Sequence, residues 1–320
     1  MHHVTTPPLL TDQDVTEAIG ARRAVAWMRE AVLAAEDGRL RAPARTAADL
    51  GGGRLVFTTG SLDGEWFGYR SYDTFDVASG RSDQVVVVQS RRTGRVRGIA
   101  VGNALGQIRT GALGGVAADL LARADATSLG VIGAGPQAWR QVWAIAAVRD
   151  LTAVSVHSRT AGRAEDFADR VRRELRVDAA VHRSAEAAVR GRDIVVLATT
   201  SPTSVIDPDW LGPGAHVTTV GPKQRGAAEF GLDLADRADV LVTDSLAQLH
   251  AYEPASIVST SHHADRVRSL GAVATGASHG RRGERDLTLY LSVGLAGTEA
   301  HLLDRLLAHR AGHTGTLPAT

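Results

Sequence analysis

The spacing of hydrophobic residues changes along the chain and divides it into regions of different structure. Over residues 11–40 apolar side chains recur at helical spacing, which predicts a helix. Thr11, with Asp14 in the first turn, is typical of the N-terminus of such a helix. From residue 54 to residue 101 short runs rich in β-branched residues predict a mostly antiparallel sheet. The predicted strands are residues 54–58, 66–70, 83–89 and 96–101.

Strands and helices alternate in the part of the chain that follows. An alanine- and glycine-rich helix is predicted at residues 109–121, and a final amphipathic helix at residues 296–309. Residues 193–198 are apolar nearly throughout, as a strand buried on both faces of a parallel sheet requires. The predicted strands between the two helices are residues 129–132, 153–157, 194–198, 215–220 and 239–243.

The length of 320 residues is sufficient for two domains, each with its own core. We expect a sheet-rich α+β domain over residues 1–115, to which residues 296–320 return. We expect a second domain over residues 116–295, an α/β domain built on a parallel sheet.

The composition excludes several classes of function. The net charge of +1 gives no electrostatic case for binding nucleic acid or a membrane surface. The absence of cysteine excludes disulfides, thiol catalysis and cysteine metal sites. No apolar run reaches the ~18 residues that a membrane span needs, and the first residues do not resemble a secretory signal. We therefore expect a cytoplasmic protein.

A glycine-rich turn follows the predicted strand at residues 129–132. Gly133 permits a tight turn, Gly135 allows a pyrophosphate to approach the backbone, and Ala138 lets the next helix pack closely. The predicted helix and the strand at residues 153–157 complete a βαβ unit, whose helix N-terminus favours a phosphate. The alternative is a glycine turn that binds no nucleotide. The residues expected to bind a dinucleotide here are Gly133, Ala134, Gly135, Pro136 and Gln137.

The end of the second strand of this unit favours NADPH over NADH. Enzymes that select NAD usually place Asp or Glu there, whereas this chain has no carboxylate until Glu165. Arg159 offers a fork of donors to a 2′-phosphate, and Ser158 and Thr160 offer hydroxyl groups. The alternative is a solvated arginine on a loop. Thr199 and Thr200, which follow the third strand, are expected beside the cofactor, or else at the N-cap of a helix.

Seven segments of the chain occur in the order typical of one family. They are Ala42–Arg45, Gly68–Arg70, Ile108–Thr110, Gly133–Ala138, His157–Thr160, Trp210–Val217 and Thr288–Ala296. In these segments the chain resembles the ornithine cyclodeaminase/mu-crystallin family. The resemblance implies a Rossmann-type domain that binds a nicotinamide dinucleotide, and a sheet-rich domain that binds substrate and forms a homodimer. The remaining expected cofactor contacts are Val220, Gly221, Ser292 and Gly294.

The resemblance also implies that Arg45, Arg70 and Arg109 bind the α-carboxylate of the substrate, with Arg70 standing where the family usually has lysine. Arginine can hold a carboxylate with two hydrogen bonds, which fixes orientation as well as charge. Tyr72 is a weaker candidate for lining the pocket or ordering Arg70. The alternative for each arginine is a surface position, because the chain has 35 arginines.

Lys223 is the only lysine of the chain and follows the fourth strand of the parallel sheet. Cyclodeaminases of the family carry Asp at the matching position, and a cation there would repel an amino group by about 4 kcal/mol at ~4 Å. We therefore expect Lys223 to donate a proton or bind a carboxylate, and Lys223 and Arg70 to be the catalytic residues. The alternatives are an exposed loop lysine or a slightly offset match.

Histidines give no evidence of a metal site, because the spacing of His262, His263 and His279 fits no standard ligand motif. His216 is expected in the core. The preferred function is an NADPH-dependent reductase of a C=N bond next to a carboxylate, in a cyclic imine or ketimine acid. An amino-acid dehydrogenase is close to this reaction. The alternatives are a cyclodeaminase-type lyase and a non-catalytic protein that binds NADPH and a small molecule.

Overall fold

The computed structural model describes residues 6–75 and 82–314. The chain divides into two compact units. Unit 1 contains Met1–Arg109 together with Leu295–Thr320, and unit 2 contains Thr110–Gly294.

In the part of the chain that the structure describes, unit 1 contains a seven-stranded sheet. Its strands are β1 (Leu9–Leu10), β2 (Leu40–Arg41), β3 (Thr46–Asp49), β4 (Arg54–Leu62), β5 (Trp66–Asp73), β6 (Val85–Ser90) and β7 (Val96–Val101). The order is β1-β7-β6-β5-β4-β2, with β3 also paired to β4. All pairs are antiparallel except β1 with β7. The first three helices are α1 (Asp12–Ala18), α2 (Ala21–Glu36) and α3 (Ala104–Leu121), of which α3 continues into unit 2.

The single helix predicted at residues 11–40 is wrong, because two helices occupy this region and Leu40 belongs to β2. The N-terminus is confirmed, since the Thr11 side chain accepts from the Asp14 N–H and the Asp14 carboxylate accepts from the Thr11 N–H. Gly20 stands at the N-cap of α2, where its extended backbone separates the two helices.

Helix α3 begins at Ala104, five residues before the predicted start, so Arg109 lies in its second turn. The carboxylate of Asp12 accepts hydrogen bonds from the N–H groups of Asn103 (3.0 Å) and Ala104 (2.7 Å). This carboxylate satisfies donors at the start of the helix from a position 91 residues away in sequence, which local patterns do not reveal.

Unit 2 contains an eight-stranded parallel sheet within the described residues, in the order β10-β9-β8-β11-β12-β17-β15-β16. Its strands are β8 (Ser128–Ile132), β9 (Ala153–His157), β10 (Asp178–Val181), β11 (Ile194–Leu197), β12 (His216–Thr219), β15 (Val240–Thr243), β16 (Val267–Ser269) and β17 (Thr288–Leu291). A separate small ladder pairs β13 (Lys223–Gln224) with β14 (Ala227–Ala228). The helices of unit 2 are α4 (Pro136–Ile145), α5 (Ala161–Arg170), α6 (Ala185–Val189), α7 (Leu232–Arg237), α8 (Leu246–His250) and α9 (Leu270–Thr275).

The predicted fold class is confirmed, and the central order β10-β9-β8-β11-β12 is that of a Rossmann-type sheet. All four residues of β11 are buried, as the prediction for a parallel strand requires. The sequence prediction missed three strands of this sheet, namely β10 and β16 at its two edges and β17 between β12 and β15. Two apolar clusters form the core of this unit.

The last helix, α10 (Thr298–Thr314), packs on β5, β6 and β7 of unit 1. Two glycines of the sheet permit this close packing. A Cβ atom at Gly98 would lie 2.6 Å from Leu307, and one at Gly68 would lie 3.0 Å from the Cβ of Ala300. The helix carries several buried polar residues, including Glu299.

None of the helices among residues 6–75 and 82–314 combines the length and the hydropathy that crossing a bilayer requires.

Candidate functional site

The turn between β8 and α4 requires glycine at its first position. Gly133 has a φ of +112°, and its N–H donates to the carbonyl of His157 at 2.9 Å. A Cβ atom at Gly133 would lie 2.2 Å from the carbonyl oxygen of Ala198, a distance that real Cβ atoms do not show. The turn is therefore held against two neighbouring strands by its backbone.

The start of α4 has the features of an anion-binding helix N-terminus. Gly135 is the N-cap, it makes no side-chain capping hydrogen bond, and Pro136 follows in the first turn. A Cβ atom at Gly135 would meet no heavy atom within 4 Å. Backbone N–H groups at this end of the helix therefore border open space, which fits the diphosphate of a dinucleotide.

A cavity of about 370 Å³ lies at the carboxyl ends of β8, β9 and β11. This is the edge at which parallel α/β sheets bind ligands. The cavity brings together residues predicted from three separate segments. The predicted cofactor residues that line it are Gly133, Ala134, Gly135, Ser158, Arg159, Thr160, Thr199 and Thr200.

The side of this cavity that follows β9 is basic and carries no carboxylate among its lining residues. Arg159 lies there as expected, and Arg163 lines the same cavity, although the sequence prediction missed it. Both side chains are exposed. Arg163 stands four residues after Arg159, in the first turn of α5, and its closeness in sequence to the end of β9 was the signal available.

Thr199 is held by a buried carboxylate rather than by a helix. The carboxylate of Glu229 accepts from the Thr199 N–H (2.9 Å), the Thr199 hydroxyl (2.8 Å) and the Gly221 N–H (2.5 Å). Glu229 therefore joins the loop after β11 to the loop after β12. Sequence reasoning missed Glu229, and the alternative of a helix N-cap at Thr199 is wrong because no helix begins there.

Burial raises the pKa of the Glu229 carboxyl, while the positive charge of Lys223 and the hydrogen bonds from Thr199 and Gly221 act in the opposite direction. Lys223 is itself buried, with 2% of its surface exposed. Its ammonium donates to the carbonyl of Gly221 at 2.6 Å and to that of Val220 at 3.4 Å. The alternative of an exposed loop lysine is therefore wrong.

The other expected cofactor residues are not among the residues that line the cavity, and four of them, in the loops after β12 and β17, hold those loops by backbone hydrogen bonds. The N–H of Val220 donates to Leu197, and that of Ser292 to Thr219. The N–H of Gly294 donates to the carboxylate of Asp244 at 2.9 Å. The residues of this group are Pro136, Gln137, Val220, Gly221, Ser292 and Gly294.

Unit 1 contains a buried cluster of charged residues centred on Glu299. One carboxylate oxygen, Oε1, accepts from Nη1 of Arg70 at 2.7 Å and from Nε of Arg109 at 2.8 Å. The exposed fractions of the side chains are 11% for Arg70, 12% for Arg109 and 2% for Glu299. The alternative of surface arginines is therefore wrong for Arg70 and Arg109.

Tyr72 connects the third predicted arginine to this cluster. The guanidinium of Arg70 lies over the Tyr72 ring, 4.2 Å from its centroid, and Nη1 of Arg45 donates to the Tyr72 hydroxyl at 3.2 Å. Gln84 accepts from Nε of Arg70 at 2.8 Å. The structure therefore brings together all three arginines that were expected to bind a carboxylate.

Electrostatics keep the Glu299 carboxylate of this cluster charged. Burial alone would raise the pKa of Glu299, but the positive charges of Arg109 and Arg70 outweigh it and hold the pKa below its ordinary value. Arg45, Arg70 and Arg109 bring three guanidinium groups together at this cluster. Guanidinium groups bind carboxylates with charge-assisted hydrogen bonds, so the cluster is suited to an anion such as a carboxylate.

Two of the three histidines considered for metal binding lie together. Asp236 contacts Nε2 of His262 at 3.1 Å and Nε2 of His263 at 2.8 Å. Nη1 of Arg266 donates to Nδ1 of His263 at 2.8 Å, so Nε2 of His263 carries the ring proton and donates to Asp236. Hydrogen bonding therefore accounts for this group. His216 is a core residue as predicted, with both ring nitrogens on threonine hydroxyls.

Known proteins resemble this chain in sequence and in fold. The model of the ornithine cyclodeaminase/mu-crystallin family matches residues 8–305. A Δ1-pyrroline-2-carboxylate reductase of Bacillus cereus is 31% identical over 241 residues, which cover 72% of this chain and 73% of that protein. An alanine dehydrogenase of Archaeoglobus fulgidus is 26% identical over 297 residues, 90% of each chain.

A solved structure covers nearly the whole chain. It is the Δ1-pyrroline-2-carboxylate reductase of Thermococcus litoralis in complex with NADH and L-proline. The TM-score is 0.87 at 25% identity, over 98% of this chain and 100% of that one. The resemblance predicted from seven short segments is confirmed, and the chain belongs to the ornithine cyclodeaminase/mu-crystallin family.

Proposed function

We propose that this protein is an NADPH-dependent reductase of a C=N bond next to a carboxylate, with a cyclic imino acid as substrate. The observation that carries the proposal is the cluster of Arg45, Arg70 and Arg109, in which Arg70 and Arg109 are buried against the carboxylate of Glu299. The names of the relatives support the reaction type, since they include Δ1-pyrroline-2-carboxylate reductases and an alanine dehydrogenase.

The chain's own residues supply binding and orientation. The arginine cluster binds the substrate carboxylate, and two hydrogen bonds from one guanidinium fix the plane of that group. The turn at Gly133 and the N-terminus of α4 bind the diphosphate of the cofactor. The bound dinucleotide supplies the hydride that reduces the C=N carbon. A protonated imine needs little further activation, so a dedicated general acid is not required for this step.

We propose for Lys223 a role other than the proton donor or carboxylate ligand expected from the sequence. Its ammonium is directed to the carbonyls of Val220 and Gly221 and offsets the charge of Glu229. We propose that it holds the loop after β12 in place beside Thr199.

The basic side of the nucleotide cavity supports a preference for NADPH. Two exposed guanidinium groups, Arg159 and Arg163, line it, and none of its lining residues is acidic. A ribose 2′-phosphate gains charge-assisted hydrogen bonds from such groups, whereas a free 2′-hydroxyl finds no carboxylate acceptor.

One face of the unit 1 sheet supports a homodimer. Gly68 and Gly98 face α10, so the residues that alternate with them face the opposite side. There Tyr69, Val87 and Ile99 form an apolar row in register across β5, β6 and β7, in which Tyr69 and Ile99 are partly exposed and Val87 is buried. A sheet face of this kind is suited to a second copy of the chain. A monomer in analytical ultracentrifugation at micromolar concentration would contradict this part of the proposal.

The test is reduction of Δ1-pyrroline-2-carboxylate, followed as loss of NADPH absorbance, alongside cofactor titrations. We expect turnover with the cyclic imino acid, and NADPH binding at least about tenfold tighter than NADH binding. Arg159→Gln with Arg163→Gln should remove that preference and leave NADH affinity unchanged. Tighter binding of NADH to the unsubstituted protein would overturn the cofactor assignment. Absence of turnover across cyclic imino acids, and across 2-oxo acids with ammonia, would overturn the reaction.

A further inference from the structure

The carboxylate of Glu299 holds two arginines by different atoms of their side chains. It contacts a terminal nitrogen, Nη1, of Arg70 and the inner nitrogen, Nε, of Arg109. A guanidinium is planar, so a hydrogen bond to one of its nitrogens, with a second restraint, fixes the direction of its other donors.

Two further contacts complete the positioning of the Arg70 side chain. Gln84 accepts from Nε of Arg70, and the Tyr72 ring lies against the guanidinium face. The contacts with Gln84 and Glu299 use two of the three guanidinium nitrogens of Arg70. The orientation of this side chain is therefore determined by groups from β5, from the residue that precedes β6 and from α10 acting together.

The Glu299 carboxylate also offsets the repulsion between two like charges. Without its carboxylate, the guanidinium groups of Arg70 and Arg109 would repel each other in a buried environment where solvent screens weakly. The two side chains would then move apart or recruit another anion.

We propose that Glu299 is a positioning residue, which sets the direction of the Arg70 and Arg109 guanidinium groups so that they bind the substrate carboxylate. This inference rests on the proposed function for the identity of the substrate. Glu299 itself does not bind the carboxylate, because like charges repel. It acts only through the two arginines.

Asp304 provides a matched control on the same helix. Both carboxylates are buried on α10, and both contact an arginine of the sheet. The partner of Asp304 is Arg97, which has no contact with the cluster among those described for these residues. Asp304→Asn therefore measures the general cost of removing a buried charge from this helix.

The experiment compares Glu299→Gln, Glu299→Asp and Asp304→Asn in the full chain. The readouts are the KM values for Δ1-pyrroline-2-carboxylate and for NADPH, the calorimetric Kd of L-proline with NADP⁺ present, and Tm. Glu299→Gln should raise the substrate KM and the L-proline Kd by about tenfold or more, and change the NADPH KM by less than about twofold. Glu299→Asp keeps the charge but has a shorter side chain, so it should recover part of the affinity.

Asp304→Asn should lower Tm and leave the substrate KM and the L-proline Kd unchanged. The inference is overturned if Glu299→Gln lowers Tm as Asp304→Asn does while its substrate KM stays the same. It is also overturned if the substrate binds more tightly, because Glu299 would then only oppose the carboxylate. If Glu299→Gln does not fold, Glu299→Asp decides by the same two affinities.

The outcome for the proposed function is separate. A protein that fails to reduce imines but binds L-proline with an affinity that depends on Glu299 contradicts the reaction and supports the positioning role. A protein that reduces imines equally well with and without the Glu299 carboxylate supports the reaction and contradicts the positioning role.

Discussion

The two units build their candidate sites in opposite ways. In unit 2 the nucleotide cavity is bordered by the backbone of one short turn, residues 133–135, and by loops that follow neighbouring strands. In unit 1 the arginine cluster depends on side chains far apart in sequence, since Glu299 lies 229 residues from Arg70 and 190 from Arg109. A site made of backbone is encoded locally, whereas a site made of charged side chains is encoded by the whole fold.

The two sites also differ in how the charges of their arginines are compensated. Arg70 and Arg109 are nearly buried and share a carboxylate, so their charges are partly compensated inside the protein. Arg159 and Arg163 are exposed, and no acidic residue lines their cavity. Water screens exposed charges, which therefore remain available for an incoming phosphate at little cost to stability. Buried arginines require a permanent partner before a ligand arrives.

The largest effect is expected from a substitution in the backbone turn of the nucleotide cavity. Gly133→Ala would place a Cβ atom 2.2 Å from the carbonyl oxygen of Ala198, at a φ of +112° that alanine rarely adopts. The turn must shift to accommodate it, and the N–H groups at the start of α4 shift with it. We expect NADPH affinity to fall by at least about 100-fold, measured by fluorescence titration.

Gly135→Ala is the matched control for this change. Its φ of −89° suits alanine, and the added Cβ would meet no protein atom within 4 Å. Tm should therefore stay the same while the cofactor affinity falls by about tenfold, since the methyl group occupies space proposed for the diphosphate. Unchanged NADPH affinity in Gly135→Ala would show that the diphosphate binds elsewhere.

An effect of similar size in free energy, but on stability rather than on binding, is expected where unit 2 depends on buried charge. Lys223→Met removes the ammonium that serves two backbone carbonyls and offsets the charge of Glu229. Urea unfolding should show a loss of about 3 kcal/mol, because the carboxylate is left uncompensated in a buried position.

Glu229→Gln in the Lys223→Met background should recover part of that loss, since the uncompensated charge is gone. This pair of variants distinguishes a structural lysine from a catalytic one. Full stability combined with lost turnover in Lys223→Met would return Lys223 to the catalytic role expected from the sequence.

The sequence was informative where the structure depends on near neighbours. The glycine turn, the basic tip at Ser158–Thr160 and the Thr11 capping box each lie within a few residues, so spacing alone revealed them. Glu229 and Glu299 were missed because their partners are brought to them by the fold. The resemblance supplied the three arginines of unit 1, but their compensating carboxylate has no local signature.

The last expected effect concerns the response of buried polar groups in the two units to acid. In unit 2, burial, with the charges of Arg281 and Arg149, lowers the pKa of His216 from 6.5 to about 3, so its ring is neutral in the folded protein. In unit 1 the pKa of Glu299 is held below the ordinary value of 4.5 by its two arginines, so its carboxylate remains charged at pH 5. Between pH 6.5 and pH 5, His216 therefore lowers the free energy of unfolding as the pH falls, whereas Glu299 does not.

The sign follows from the proton count. The unfolded chain protonates His216 below pH 6.5 while the folded protein does not until about pH 3, so the unfolded state binds more protons in that window. The free energy of unfolding should therefore fall by about 2 kcal/mol between pH 7 and pH 5 on account of this group. His216→Asn should remove that part of the pH dependence in urea unfolding, and His250→Asn, at an exposed helix end, should keep it. Equal slopes in the two variants would mean that His216 is charged in the folded protein, and the parallel sheet of unit 2 would then tolerate buried charge as unit 1 does.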